Sequence, residues 1–149
     1  MKDLLILFGG KSGEYEVSEM SAASVLSNID TDKYNIIKIG ITKDGRWFKT
    51  DASPEQIKSG EWNSMLKQRA VFAPDTSHHG IFVEGKLQNV DVIFPVKHGD
   101  YCEDGCIQGL FELSGIPYVG PGVRASAAGM DKSATKLCAA ASGVPQAKW

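Results

Sequence analysis

His98-Gly99-Asp100-Tyr101-Cys102-Glu103-Asp104-Gly105-Cys106-Ile107-Gln108-Gly109 is the stretch on which the reading of this chain turns. Ahead of it runs an apolar segment, Val90 to Val96, with the character of a buried strand. Behind it, Ile107, Leu110, Phe111 and Leu113 mark the apolar positions of an amphipathic helix. Strand, glycine-rich charged loop, helix: in an open α/β sheet, ligands bind beyond the carboxyl end of such a strand. His98 stands at the strand end. Glu103 and Asp104 stand at the helix start, where the positive end of the helix dipole favours acids. Gly99, Gly105 and Gly109 allow sharp turns or close approach of backbone to a ligand. Taken alone, the stretch fits equally well a plain strand-to-helix connection with a capping acid and a surface histidine.

Moving outward, Leu4-Leu5-Ile6-Leu7-Phe8 is a continuous apolar run, as expected of a strand covered on both faces. Gly9-Gly10-Lys11-Ser12-Gly13 follows, and then Val17, Met20, Ala23, Ser24 and Ser27 recur at helical spacing as a predicted packing side, the helix ending near Asn28. The glycine turn has neither Walker spacing nor a dinucleotide fingerprint. Tyr34 to Thr42 reads as the next strand, Lys43-Asp44-Gly45-Arg46 as a hairpin turn, and Trp47-Phe48 as its short return. Ser53-Pro54 starts a short helix, Gln68 to Ala73 is a further strand, and Ile81 to Leu87 a small edge hairpin. His78 and His79 read as solvated. After the central loop, Gly115 to Gly120 is predicted as a brief strand, Ala125 to Gly129 as a short helix, and Lys132 to Ala141 as another, closed by Gly143. Gln146 to Trp149 looks like the opening of a strand.

The bulk numbers bound the class. The 149 residues are 42% hydrophobic and 23% charged, enough for a core of ordinary size. A net charge of −2 and a pI near 5.9 argue against nucleic-acid binding. No apolar run approaches a membrane span, and the five residues Leu4 to Phe8 are too few for a signal peptide, which points to a cytoplasmic protein. Cys102, Cys106 and Cys138 make an odd set, against a disulfide framework. His98, Cys102 and Cys106 lie four apart, which fits neither common structural zinc pattern. Cys138 reads as a small core residue.

Together these residues resemble a family. Phe8 through Ser18 is similar to the first motif of the D-alanine–D-alanine ligases, His98 through Gly109 to their second. Ile116-Pro117-Tyr118-Val119-Gly120, Ala125-Ser126 and Met130 through Lys136 are similar to the third. The motifs stand in family order and span nearly the whole chain. The resemblance implies an α/β fold, a mostly parallel sheet flanked by helices, over residues 1–122. Residues 123–149 would open the ATP-grasp central domain, left incomplete. It implies ATP-dependent joining of two D-alanines through a D-alanyl phosphate, with Mg2+ ligands outside this chain. The product would serve peptidoglycan precursor synthesis, and so cell-wall biogenesis and cell shape, in a bacterial cytoplasm. The expected partners are D-alanine, ATP and a second copy in a homodimer, with no nucleic acid or membrane. Glu14 is the expected catalytic acid and holds the first substrate's ammonium. Val17, Ser18, His98, Gly99 and Glu103 join it in substrate binding, and Lys132 binds ATP. No metal ligand is expected in the chain, and the chain alone is expected to be inactive.

Two positions depart from the family pattern. Cys102 stands where glycine is usual, so a backbone needing positive φ would be strained there. Tyr15 stands where many members have histidine, and ligases making D-alanyl-D-serine or D-alanyl-D-lactate vary around this motif. The alternatives are therefore a relative with one of those products, or a non-catalytic α/β binding module.

Overall fold

The computed structural model describes residues 1–65 and 68–148. Strands β1 (Lys2–Gly9), β2 (Tyr34–Ile41), β3 (Trp47–Lys49), β4 (Gln68–Phe72), β5 (Gly80–Val83), β6 (Lys86–Asn89) and β7 (Val92–Val96) form one sheet of order β6-β5-β4-β3-β2-β1-β7. Helices α1 (Tyr15–Asn28) and α2 (Pro54–Lys58) precede α3 (Cys106–Ser114), α4 (Val123–Met130) and α5 (Lys132–Ala141), and Glu61–Met65 is a 3-10 turn.

β1 lies between two parallel neighbours. Leu4 to Phe8 face β7 from Leu4 opposite Val92 to Phe8 opposite Val96, and Lys2 to Gly9 face β2 from Tyr34 to Ile41. The run is apolar at every position because both faces are covered. Leu5 and Leu7 enter a core with Ile39, Ile93, Ile107 and Phe111, while Leu4, Ile6 and Phe8 enter a second with Ala22, Ile57 and Trp62. This is the period-two alternation of a strand read out on two sides. The parallel expectation holds for these three strands, which carry the loops of interest. Beyond β2 it gives way, since β2–β3, β3–β4, β4–β5 and β5–β6 are all antiparallel. The Asp44-Gly45 turn sets this direction by returning the chain beside β2.

Other local expectations shift for identifiable reasons. The buried side of α1 is Tyr15, Ser18, Glu19, Ala22 and Ala23, whereas Val17 and Met20 are exposed. Ala23 is buried as expected, Ser24 and Ser27 are exposed, and the polar but satisfied Ser18 and Glu19 take the inward places expected of Val17 and Met20. On α3, Leu113 is exposed, and Gln108 and Ser114 take buried places beside Ile107 and Phe111. The brief strand around Gly115–Gly120 reduces to a single parallel bridge, Tyr118 to Ile93. Residues 146–148 form no strand, Trp149 lies outside the described residues, and Cys138 is exposed, because α5 buries nothing. Its ends are nevertheless well made. Asp131 Oδ1 accepts from the N–H groups of Ser133 and Ala134, and Gly143 (φ 69°) closes it with Val144 N–H on the Ala139 carbonyl.

The α1 network explains how Glu19 is tolerated at 4% exposure. Its Oε1 accepts from Trp62 Nε1 at 2.6 Å, and Tyr15, whose hydroxyl donates to Asn63 Oδ1 at 3.2 Å, lies beside it. Burial raises the Glu19 carboxyl above its ordinary value, against the pull of the Trp62 hydrogen bond. Burial likewise pushes the Tyr15 phenol up to about 12. A raised carboxyl binds protons better folded than unfolded, so Glu19 favours the fold most at acid pH. That advantage is lost as pH rises from the unfolded value near 4.3 through the folded one. Glu19→Gln keeps the acceptor for Trp62 and removes the buried charge. In urea melts across pH, the variant is expected to match wild type near about pH 4 and to be the more stable near about pH 8. A difference that does not vary with pH, or that favours wild type at high pH, contradicts this account.

Candidate functional site

The site is built where β1 and β7 end side by side. Gly9 (φ 76°) and Gly10 (φ 115°) turn the chain off β1, and a Cβ on Gly9 would lie 2.3 Å from the Ile41 carbonyl oxygen. Glycine is therefore required by close approach as well as by φ. Ser18, at 1% exposure, locks this turn: its Oγ accepts from Gly9 N–H at 2.8 Å and donates to the Val96 carbonyl. One hydroxyl thus ties the ends of β1 and β7 to the start of α1. Ser18 is inside the fold, with its hydroxyl engaged, rather than open to the cleft.

Glu14 follows, immediately before α1, exposed, with its N–H donating to Ser12 Oγ at 3.0 Å. Across from it Gly99 carries φ 73°, and a Cβ there would lie 2.5 Å from Ser12 Oγ and 3.1 Å from Glu14 Oε2. The two loops therefore touch, with the Glu14 carboxylate against Gly99. Glu14 makes no ion pair among the described residues, which leaves its carboxylate available to a cation. Val17 is exposed on the first turn of α1.

His98 is held by Ser21 Oγ at 3.0 Å from Nε2, and its Nδ1 stands 3.9 Å from Glu103 Oε1. Glu103 Oε2 accepts from Gly99 N–H at 2.8 Å, so the acid organises its own loop while facing the imidazole. Asp104 accepts from Tyr101 and Cys106 N–H groups, which hold its carboxyl below the ordinary range against the opposing effect of desolvation. The anticipated strain at Cys102 does not arise. Positive φ falls on Tyr101 (61°) instead, and Cys102 is buried with burial raising its thiol, partly offset by the Lys97 cation. Tyr15 is buried in the second core.

Lys132 is exposed at the start of α5, and no hydrogen bond or ion pair joins it to Glu14, His98 or Glu103 among the described residues. Nor do any three His, Cys, Asp or Glu side chains among them gather as a metal site. Sequence reading missed Ser12, Ser21 and Lys97. The first two are small polar residues whose roles depend on the pairing of distant loops, and Lys97 carried the only local signal, a cation at the end of an apolar strand.

Comparison with known proteins gives a consistent picture. The family described as D-ala D-ala ligase N-terminus matches residues 3–121. The D-alanine–D-alanine ligase of Ruminiclostridium cellulolyticum is 46% identical over 157 aligned residues, covering 97% of this chain and 42% of that protein. The VanG D-Ala:D-Ser ligase from Enterococcus faecalis superposes with a TM-score of 0.92 at 40% identity, covering 99% of this chain and 43% of that one. The D-alanine–D-alanine ligase from Coxiella burnetii superposes at 0.88 with 33% identity, over 100% and 44% of the two chains. This chain thus spans less than half the length of each. No helix among the described residues is long and apolar enough to cross a membrane.

Proposed function

Because the chain belongs to the D-alanine–D-alanine ligase N-terminal family, we propose that it supplies the first-substrate half of an ATP-dependent ligase that joins two D-alanines. The observation that carries this reading is the meeting of the Glu14 and Gly99 loops at the ends of β1 and β7. A carboxylate free of partners suits an ammonium, and a histidine donor suits a carboxylate or phosphate oxygen. Glu14 holds the amino group of the first D-alanine. His98, steered by Ser21 and Glu103, helps place its carboxylate. Val17 and Gly99 line the same site, and Ser18 shapes it from beneath. In the first step a carboxylate oxygen of D-alanine bonds to the γ-phosphorus as the bond to ADP breaks. In the second, the amine of another D-alanine bonds to the acyl carbon, phosphate leaves, and the amine loses a proton.

Lys132 provides a compact charge for the nucleotide phosphates. Phosphoryl transfer of this kind uses magnesium to neutralise charge on the phosphates. The described residues offer no ligand set for it, so no step is assigned to the metal from this chain. The family match over residues 3–121 supports a division near residue 122, with α4 and α5 leading into an ATP-grasp domain. The reading extends to a cytoplasmic homodimer supplying peptidoglycan precursors. The superposition on a D-Ala:D-Ser ligase favours, as a second reading, D-serine in the second substrate position.

The test is ATP-dependent phosphate release by the ligase that contains this chain, with D-alanine alone and then with D-serine or D-lactate added. Release with D-alanine alone is expected, and the 149-residue chain by itself is expected to release none. Dipeptide formed only with added D-serine selects the second reading. A longer protein inactive on all three is a binding module, and activity of the isolated chain overturns this division of labour between the domains.

A further inference from the structure

Ser18 is not the only serine with which α1 reaches the end of β7. Three residues further along the helix, Ser21 Oγ lies 3.0 Å from His98 Nε2. Residues three apart share a helix face, so the side of α1 that meets the Val96 carbonyl through Ser18 also meets His98. We infer that Ser21 is a positioning residue. Its hydroxyl donates to Nε2, fixes His98 as the Nδ1–H tautomer, and leaves that N–H as the donor His98 offers to a carboxylate oxygen of the first substrate. The inference rests on the ligase reading for the identity of that substrate, but not for the tautomer.

Either partner of the Ser21–His98 hydrogen bond could donate, since a hydroxyl and a neutral imidazole each both donate and accept. The surroundings of the ring choose between the two directions. Nδ1 faces Glu103 Oε1 at 3.9 Å. A lone pair on Nδ1 would be repelled by that carboxylate, whereas an N–H there is attracted to it. The proton of the neutral ring therefore belongs on Nδ1, and Nε2 accepts from Ser21. The hydroxyl is available for this. A serine inside a helix commonly turns back on the carbonyl four residues earlier, as Ser27 does on Ala23 at 2.9 Å, but Ser21 reaches out of its helix to His98. Nor does Glu103 consume the Nδ1–H. A separation of 3.9 Å exceeds hydrogen-bond reach, and Glu103 Oε2 is held by Gly99 N–H at 2.8 Å. Through Glu103, the Nδ1 side of the ring adjoins Gly99, and the Glu14 carboxylate packs against Gly99. A part-exposed N–H donor and an exposed carboxylate on neighbouring loops complement the two ends of one free amino acid: carboxylate to His98, ammonium to Glu14.

The tautomer is read from two-bond 1H–15N correlations of the His98 ring in the 149-residue chain, at about pH 8, above the ordinary histidine range. Wild type is expected to carry the proton on Nδ1. Ser21→Ala is expected to move it toward Nε2, and Ser21→Thr, which keeps the hydroxyl, to match wild type. In the ligase that contains this chain, Ser21→Ala is expected to raise the KM for the first D-alanine roughly two- to tenfold, the value of one neutral hydrogen bond. The KM for ATP stays where it is, and Ser21→Thr restores the D-alanine value. A proton on Nε2 or on both nitrogens in wild type, or an unmoved tautomer in Ser21→Ala, overturns the proposal and leaves the ligase reading standing. An unchanged first-site KM in Ser21→Ala overturns it too, where His98→Ala raises that KM. If His98→Ala is equally without effect, the place given to His98 in the ligase reading falls with it.

Discussion

Trp62→Ala is expected to cost about 3–5 kcal/mol of stability, the range for removing a large aromatic side chain from a core. Trp62 is fully buried, its ring edge-on to Phe8 with centroids 5.0 Å apart. Its Nε1 is a donor to buried Glu19. The substitution therefore opens a void and also strips a hydrogen bond from a carboxylate that has little access to water. For a chain of this size the loss corresponds to a fall in Tm of roughly 6–20 °C. Gly40 gives an internal check. A Cβ there would lie 2.4 Å from the Trp62 ring and 3.0 Å from Phe8, so Gly40→Ala alone destabilises, whereas in the Trp62→Ala background the added methyl enters the void. A urea-denaturation double-mutant cycle should show this coupling. A cost below about 1 kcal/mol for Trp62→Ala, or strictly additive effects, contradicts the packing described.

On the proposed function, Glu14→Gln in a ligase carrying this chain is expected to weaken first-site D-alanine binding by roughly 2- to 30-fold. A hydrogen bond to a charged group contributes about 1.5–3 kcal/mol against about 1 for a neutral one, and about 1.4 kcal/mol is a factor of ten. Because Glu14 is exposed and makes no ion pair among the described residues, the substitution leaves the fold intact, and the KM for ATP should barely move. Steady-state kinetics with D-alanine and ATP varied separately decide the matter. Unchanged kinetics for the first D-alanine would return Glu14 to an ordinary acid at a helix start, favoured by the dipole alone.

The parts of the fold legible in the sequence are those governed by local chemistry. The apolar run Leu4 to Phe8, the Asp44-Gly45 turn, the Ser53-Pro54 helix start and the span Lys132 to Ala141 all read directly, because burial on both faces, turn conformation and capping act over a few residues. The antiparallel half of the sheet was less legible. A hairpin reverses direction locally, but which strands then join the same sheet depends on partners far along the chain. The inward face of α1 is not legible locally for a related reason. Apolar spacing favoured Val17 and Met20, whereas Ser18 and Glu19 face inward because Gly9, Val96 and Trp62, all distant in sequence, satisfy their polar atoms. Glu14, His98 and Glu103 are singled out by motif resemblance, and the structure brings their loops together at the ends of β1 and β7. Ser21 is not singled out, since nothing around it in sequence signals that a histidine 77 residues later will reach its hydroxyl.

The position of β1 between β2 and β7 has a consequence for how the chain is made. Lys97 and Gly9, at the strand ends, are 88 residues apart, whereas Asp3 and Asn35, at the start of the β1–β2 pair, are 32 apart. Closing the longer loop costs about 0.9 kcal/mol more entropy, at about 0.6 for each doubling of length. During synthesis β2 through β6 all emerge before β7 does. Until β7 arrives, Leu4 to Phe8 presents an unpaired apolar edge, the kind of surface on which unfinished chains pair with one another. A polypeptide stalled before Val92 therefore keeps that apolar edge open to other chains.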